Sequence, residues 1–286
     1  MARKLALGQS VFNWSVTGSF LQQKFGLRPA GATDTLPTLT GSLNESDLAG
    51  WLVPRDLNLT SPGLWAFFAR GNVTLEAEAG GRYGWITSLG DLSNLAKDGN
   101  DMNILGWGGV FRFQYRWSPN VRVGLETGTA SGDDQYENVT KRGAVHFSQL
   151  PAFPVDGRDA WNNLMLFHPS YHVDLILFRE LLGTVYNATY VKPTFRYVQN
   201  QWTLRIDGIA SFANEKVATP GNDSLMGFEL DADFSYRSLD GSFEAGIAYG
   251  LFYPMEGMDH PESIFGSLAS DTGMAHTIQG RVLIRF

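Results

Sequence analysis

The sequence predicts an all-β chain: a transmembrane antiparallel up-and-down β-barrel of about ten strands, with residues 1–286 as a single domain. Three observations predict it. Segments of strict apolar/polar alternation recur along the chain. Four of the joints between them are very short, while the others are long and polar. Aromatic side chains collect on the apolar parity beside the short joints. Strand side chains alternate faces with period two, so each segment presents one greasy face and one polar face.

The segments can be taken in order. Val73, Leu75, Ala77 and Ala79 alternate with Thr74, Glu76, Glu78 and Gly80. Phe111, Phe113, Tyr115 and Trp117 alternate with Val110, Arg112, Gln114 and Arg116. After Ser118-Pro119-Asn120, Val121, Val123 and Leu125 oppose Arg122, Gly124 and Glu126. Val191, Phe195 and Tyr197 oppose Lys192, Thr194 and Arg196, and beyond Gln199-Asn200-Gln201, Trp202, Leu204 and Ile206 oppose Thr203, Arg205 and Asp207. Phe228, Leu230, Ala232, Phe234 and Tyr236 oppose Glu229, Asp231 and Asp233. After 238–241, Phe243, Ala245, Ile247 and Tyr249 oppose Glu244, Gly246 and Ala248. Turn-forming residues at the joints are hairpin signals.

Short joints fall near 69–72, 118–120, 199–201 and 238–241, and long connections near 27–50, 89–103, 131–184, 214–225 and 252–274. Short turns on one rim and long loops on the other are the asymmetry of a membrane barrel, with the short turns periplasmic and the long loops extracellular. An even strand count lets the first strand, Ser10–Lys24, close on the last. Pro193 lies on the apolar parity and removes a ladder donor, so a bulge is expected there. The aromatics beside the short joints (Trp65 and Phe67, Tyr115 and Trp117, Tyr197 and Trp202, Tyr236 and Phe243, then Phe286) are expected at a membrane interface. A soluble sandwich or barrel is the competing architecture.

Composition agrees with a barrel. Thirty-two glycines and 13% aromatics with only 18% charge suit many turns and large rings. No run approaches the roughly 20 apolar residues of a membrane helix. The absence of cysteine rules out disulfides and Cys-type zinc sites, and a net charge of −7 argues against nucleic acid. Met1–Gly8 starts basic, but Gly8-Gln9-Ser10 breaks the apolar run and no small-residue cleavage site follows. It is a poor signal peptide, and the expectation is a numbering that begins after processing, or a Met1 that marks a truncated start.

Three segments carry a resemblance. The last strand, running through Ile278, Gly280, Val282 and Ile284 to Phe286, resembles the closing strand of a bacterial outer-membrane barrel. Glu126-Thr127-Gly128-Thr129-Ala130-Ser131-Gly132-Asp133-Asp134 is similar to the acidic segment that ends a strand in alginate-export-type barrels. Phe167-His168-Pro169-Ser170-Tyr171-His172-Val173-Asp174, continued to Arg179 and then Asn187 and Val191-Lys192-Pro193, resembles the same group of exporters and porin-like proteins. The resemblance implies an outer-membrane conduit. Its partners would be the lipid bilayer, lipopolysaccharide and, through the C-terminal strand, the assembly machinery, with other envelope proteins possible partners.

If the apolar parity meets lipid, the other parity lines a lumen. The strand at 73–80 then contributes Glu76 and Glu78, the next Arg112 and Arg116, and the next Arg122 and Glu126. Lys192 and Arg196 follow, then Arg205 and Asp207, then Glu229, Asp231 and Asp233, then Glu244, and last Arg281 and Arg285. The acidic 226–237 strand and the basic 104–117 and 275–286 strands predict walls of opposite sign, hence a transverse field that sets ion preference. An interior packed with salt bridges is the alternative. The 131–184 connection is too apolar for a solvated loop. It is expected to fold back as a lid or constriction, with a short helix near Arg179–Leu182, or to cap the rim.

Other chemistry is thin. His168, His172 and Asp174 are one metal candidate, and Asp133-Asp134-Gln135-Tyr136-Glu137 is a calcium candidate without regular ligand spacing. Asp259-His260 is the single adjacent Asp/His pair, and no G-x-S-x-G elbow exists. The expectation is therefore no enzyme, no cofactor and no bound metal. It is a porin or exporter-like channel for ions or small polar, including anionic, solutes; the alternative is a non-conducting barrel with a structural or surface-interaction role.

Overall fold

The computed structural model describes residues 2–7, 10–27, 52–86, 102–133, 161–261 and 272–285. The strands are β1 (Ala2–Leu7), β2 (Ser10–Leu27), β3 (Leu52–Arg70), β4 (Val73–Ile86), β5 (Met102–Arg116) and β6 (Val121–Ala130). They continue with the short β7 (Trp161–Asn162), β8 (Ala188–Gln199), β9 (Trp202–Ala213), β10 (Leu225–Arg237), β11 (Phe243–Pro254) and β12 (Ala275–Ile284). Apart from β7, which lies parallel to β5, neighbours in sequence pair antiparallel across one sheet. The ten long strands form an up-and-down meander.

Local chemistry fixes the four short joints. Gly71, with φ of 57°, and Asn72 form a two-residue turn that sets Arg70 opposite Val73. Asn200, at φ of 54°, makes the equivalent turn between β8 and β9. Ser118 Oγ accepts the Val121 N–H at 3.1 Å to close the β5–β6 turn. At the β10–β11 turn the Ser238 hydroxyl donates to Asp240 at 2.6 Å and accepts the Phe243 N–H at 3.0 Å. Hydrogen bonds from Ser238 and Ser242 hold the Asp240 carboxyl down at about 2. All four turns lie at one end of the sheet, and the long connections lie at the other.

Two expectations are corrected. Ser10–Lys24 does not close on the last strand. β1 folds back on Ser10–Ser15 and takes that edge, no pairing joins β1 or β2 to β12 among the described residues, and the sheet is open. Pro193 makes no bulge either: β6–β8 pairing runs without a shift from Val121–Tyr197 to Ala130–Ala188, and Leu125 sits opposite Pro193. The missing donor instead interrupts the β8–β9 ladder between Val191 and Thr194 without changing its register.

The sheet is inverted relative to an ordinary core. On β10, Phe228 and Leu230 are 46% and 51% exposed, while Glu229 and Asp231, which alternate with them, are 5% and 7% exposed. The sheet also curls. One cavity of about 350 Å³ touches Arg112 on β5 and Arg281 on β12. Seven flat strands would set those two about 29 Å apart at normal strand spacing, far beyond the width of such a cavity. The polar parity is therefore concave and the apolar parity convex.

The turn at Asn200 supplies a test. Asn200→Gly should be near neutral. Asn200→Val, forced into the left-handed region, should lose roughly 1–2 kcal/mol in equilibrium unfolding, because a β-branched residue clashes there.

Candidate functional site

Residues 163–187 run into the concavity and plug its long-loop half. Apolar side chains explain why the segment stays. Val173, Ile176, Leu177 and Phe178 are buried against Ala130, Tyr190, Ile209, Met226 and Phe252 from the sheet. Burying each of the larger ones stabilises by about 1.5–3 kcal/mol. The turn at Leu177–Leu181 is π-helical, and Asp174 accepts the Phe178 and Arg179 N–H groups to hold its start.

The plug enters and leaves through two polar clamps. On entry, Ser131 Oγ donates to Asn163 O at 2.5 Å and Asp133 accepts the Asn163 N–H at 2.9 Å. On exit, Asn187 accepts the Glu215 N–H at 2.7 Å and donates to Glu215 O at 2.9 Å. Gly132 joins them: a Cβ there would stand 1.8 Å from Asn187 Oδ1. The acidic segment after β6 thus anchors the plug, with Asp133 buried; 134–137 lie outside the described residues.

Inside, a network ties plug to wall. Arg112 Nε donates to Glu126 at 2.8 Å, its Nη1 to Glu76 at 3.2 Å and its Nη2 to Tyr171 Oη at 2.8 Å. Tyr171 and Tyr190 both donate to Glu126 Oε1 at 2.8 Å. Burial, reinforced by the Glu126 charge, pushes the Tyr171 phenol up to about 12, so it stays a donor at any ordinary pH. Lys192 Nζ donates to Val173 O and lies 3.4 Å from Asp207, which also pairs with Arg205 at 2.8 Å. Glu229 accepts the N–H groups of Leu175, Ile176 and Leu177 at 3.0, 2.8 and 3.0 Å, and Asp231 accepts Leu175 N–H at 3.1 Å. Burial, then the Glu229 charge, raises the Asp174 carboxyl to about 7.

Register places the charged residues proposed from alternation on the concave face. Glu76 faces Arg112, which faces Glu126, which faces Lys192; Asp207 faces Asp231. The separated acidic and basic walls expected strand by strand are not there, because Arg112 and Arg281 on the basic strands pair with nearby acids. Arg281 binds Asp233 at 2.6 Å and approaches Glu244 at 3.7 Å, while Glu229 and Asp231 face plug amides instead of open space. Glu78 borders a second cavity, of about 400 Å³, with Trp65, Phe167 and Tyr171. Arg285, just past β12, donates to Gly241 O.

Below the plug, Arg116 stands directly opposite Arg122, Arg122 opposite Arg196, and Arg196 opposite Arg205. Like charges so placed repel. Among the described residues Arg116, Arg122 and Arg196 make no ion pair. The cavity of about 350 Å³ is lined by Arg112, Arg122, Arg196, Arg205, Arg237 and Arg281, against Glu126, Asp233 and Glu244.

Tyr115, Trp117, Tyr197, Trp202 and Tyr236 lie on the convex parity near the short turns, with Trp202 stacked on Phe234 at 5.0 Å and 4.9 Å from Tyr236. Trp65 and Phe67 are exceptions. Trp65 lies opposite Glu78 with its Nε1 donating to Glu76 at 2.8 Å, and Phe67 lies opposite Glu76, so both belong to the concave face. The apolar run Leu64-Trp65-Ala66-Phe67-Phe68 has no readable parity of its own. Phe286 lies outside the described residues.

The metal candidate His168–His172–Asp174 does not assemble: both histidines are exposed, whereas Asp174 is buried and caps Phe178 and Arg179. Among the described residues no three His, Asp or Glu side chains group as ligands. Asp259 accepts from the Thr272 hydroxyl at 2.7 Å. Alternation missed Tyr171, Tyr190, Ser131 and Asn187. Tyr190 shares parity with Lys192, which was the available signal. No protein-family model matches the chain, and no curated protein matches it.

Removing the Glu126 carboxylate should be worse than removing one donor to it. Tyr190→Phe should cost roughly 1–2 kcal/mol in unfolding free energy. Glu126→Ala, which leaves Arg112 with Glu76 as its one carboxylate and takes the shared acceptor from two phenols, should cost about 3 kcal/mol or more.

Proposed function

We propose that this chain forms the wall of a β-barrel in the bacterial outer membrane and passes small polar solutes, with a preference for anions, through a plug-narrowed lumen. The observation that carries the reading is the inversion of the sheet. Glu229 and Asp231 are buried on the concave side, while Phe228, Leu230, Phe234 and Ile247 are exposed on the convex side. A water-soluble sheet gains nothing by that arrangement, whereas a bilayer rewards it. The aromatic cluster of Trp202, Phe234, Tyr236 and Phe243 beside the short turns fits an interfacial girdle. On this reading the short turns face the periplasm and the long connections the exterior. The likeness of segments 126–134 and 167–193 to alginate-export-type barrels agrees with it.

Anion preference follows from the unpaired arginine row. A ring of like charge on a narrow passage favours counter-ions. The competing reading is a non-conducting barrel with a structural or surface role, and it is favoured by the plug core, where Leu177, Phe178 and Tyr190 are almost wholly buried.

Membrane placement is tested by parity. Spin labels at Phe113, Phe195 and Leu230 should respond to a lipid-soluble relaxant, and labels at Arg112, Arg196 and Asp231 should not. Equal accessibility to a water-soluble relaxant at all six would exclude the bilayer.

Conduction is tested in planar bilayers. Arg122→Gln with Arg196→Gln should shift the reversal potential in a salt gradient toward cations, and the shift should shrink at high salt as screening shortens the field to a few ångströms. A folded parent with no unitary current would leave the plugged, structural reading.

A further inference from the structure

Besides Asp133 at the entry clamp, the long-loop half of the interior holds four buried carboxylates, Asp174, Asp207, Glu229 and Asp231. Two cations face them, Lys192 from β8 and Arg205 from β9, and both are engaged by Asp207. The other three carboxylates rely on plug N–H groups. Glu229 and Asp231 bond the same Leu175 N–H and so stand side by side, and Asp231 Oδ1 has no hydrogen-bond partner. β11 brings only Gly250 and Phe252 to this place, and within the plug His172, Arg179 and Glu180 point to the surface. Adjacent buried carboxylates cannot all ionise cheaply, and one shared proton relieves both the repulsion and the desolvation.

We propose that this cluster is a proton latch: with a proton on it the plug stays docked, and as pH rises the fully ionised cluster releases segment 173–178 from the interior. The sign follows from linkage. Asp174, ordinarily near 3.8, is held near 7 while docked, so the docked form binds a proton that the released form has given up. Docking is strongest in acid and weakens as pH climbs toward neutrality, by roughly a hundredfold between about pH 5 and about pH 8. Release would join the arginine-lined cavity to the long-loop end.

The chain has no native cysteine, so one spin label can be placed at Arg179→Cys, which is exposed and spares the cluster. In the full chain the label should be immobile at about pH 5 and mobile at about pH 8. Asp174→Asn combined with Asp231→Asn, which leaves Glu229 as the one ionisable carboxyl on the plug amides, should move release to higher pH. A label at Asn120→Cys, in a short turn, should not respond and so reports whether each variant is folded. Lys192→Met, which spares the carboxylates but removes the facing cation, should move release to lower pH. A parent whose Arg179 label does not change with pH would overturn the proposal, as would a folded double variant with the parental midpoint. The label reads docking whether or not solute passes, so its outcome is separate from that of the conductance test.

Discussion

Glu229 accepts three successive backbone N–H groups from a loop more than fifty residues earlier in the chain. A carboxylate taken out of water needs donors, and a loop taken out of water needs acceptors; each here supplies what the other lacks. The rest of the interior is arranged around that exchange. Lys192 reaches Val173 O, Asp174 closes the turn at Phe178 and Arg179, and the apolar side chains at 176–178 follow the backbone into contact with Tyr190 and Phe252. Without the buried acids on β10 the concave face would offer the amides of Leu175, Ile176 and Leu177 no acceptor.

The plug also explains why the interior divides as it does. β10 runs from Leu225 at the long-loop end to Arg237 at the short-turn end. Glu229 and Asp231, on its first half, hold the plug, whereas Asp233, further along, turns to Arg281. Above that division the β10 acids are met by peptide N–H groups. Below it, side-chain ion pairs neutralise some arginines and leave the Arg116–Arg122–Arg196 row unmatched. One acidic strand thus serves two chemistries along its length.

Alternation and turn residues are local signals, so the long strands and the four tight joints could be read directly. Parity within β3 could not be read from its own composition, since Leu64 to Phe68 is apolar throughout. It was legible one step away: the two-residue turn at Gly71-Asn72 sets Phe67 opposite Glu76 and Trp65 opposite Glu78. The plug was harder. Its apolar content marked 131–184 as more than solvated loop, but its partners lie on strands reached only after the sheet has curled. The local pairing of Arg281 with Asp233 was hidden for the same reason, because β11 stands between β12 and β10 in sequence and the two side chains meet across it.

The four tight turns join strands that pair with their immediate neighbours, whereas the plug's bonds to Glu126, Glu229 and Asp231 span from 45 to 56 residues. Closing such loops costs chain entropy before any contact repays it, and short hairpins do so first. The hairpins therefore form first, whereas the plug, like the β6–β8 pairing that sets Val121 opposite Tyr197, closes a long loop and forms after them. Until the plug seats, the acids on β10 stay hydrated, and their demand for protons or amides arises only as it docks.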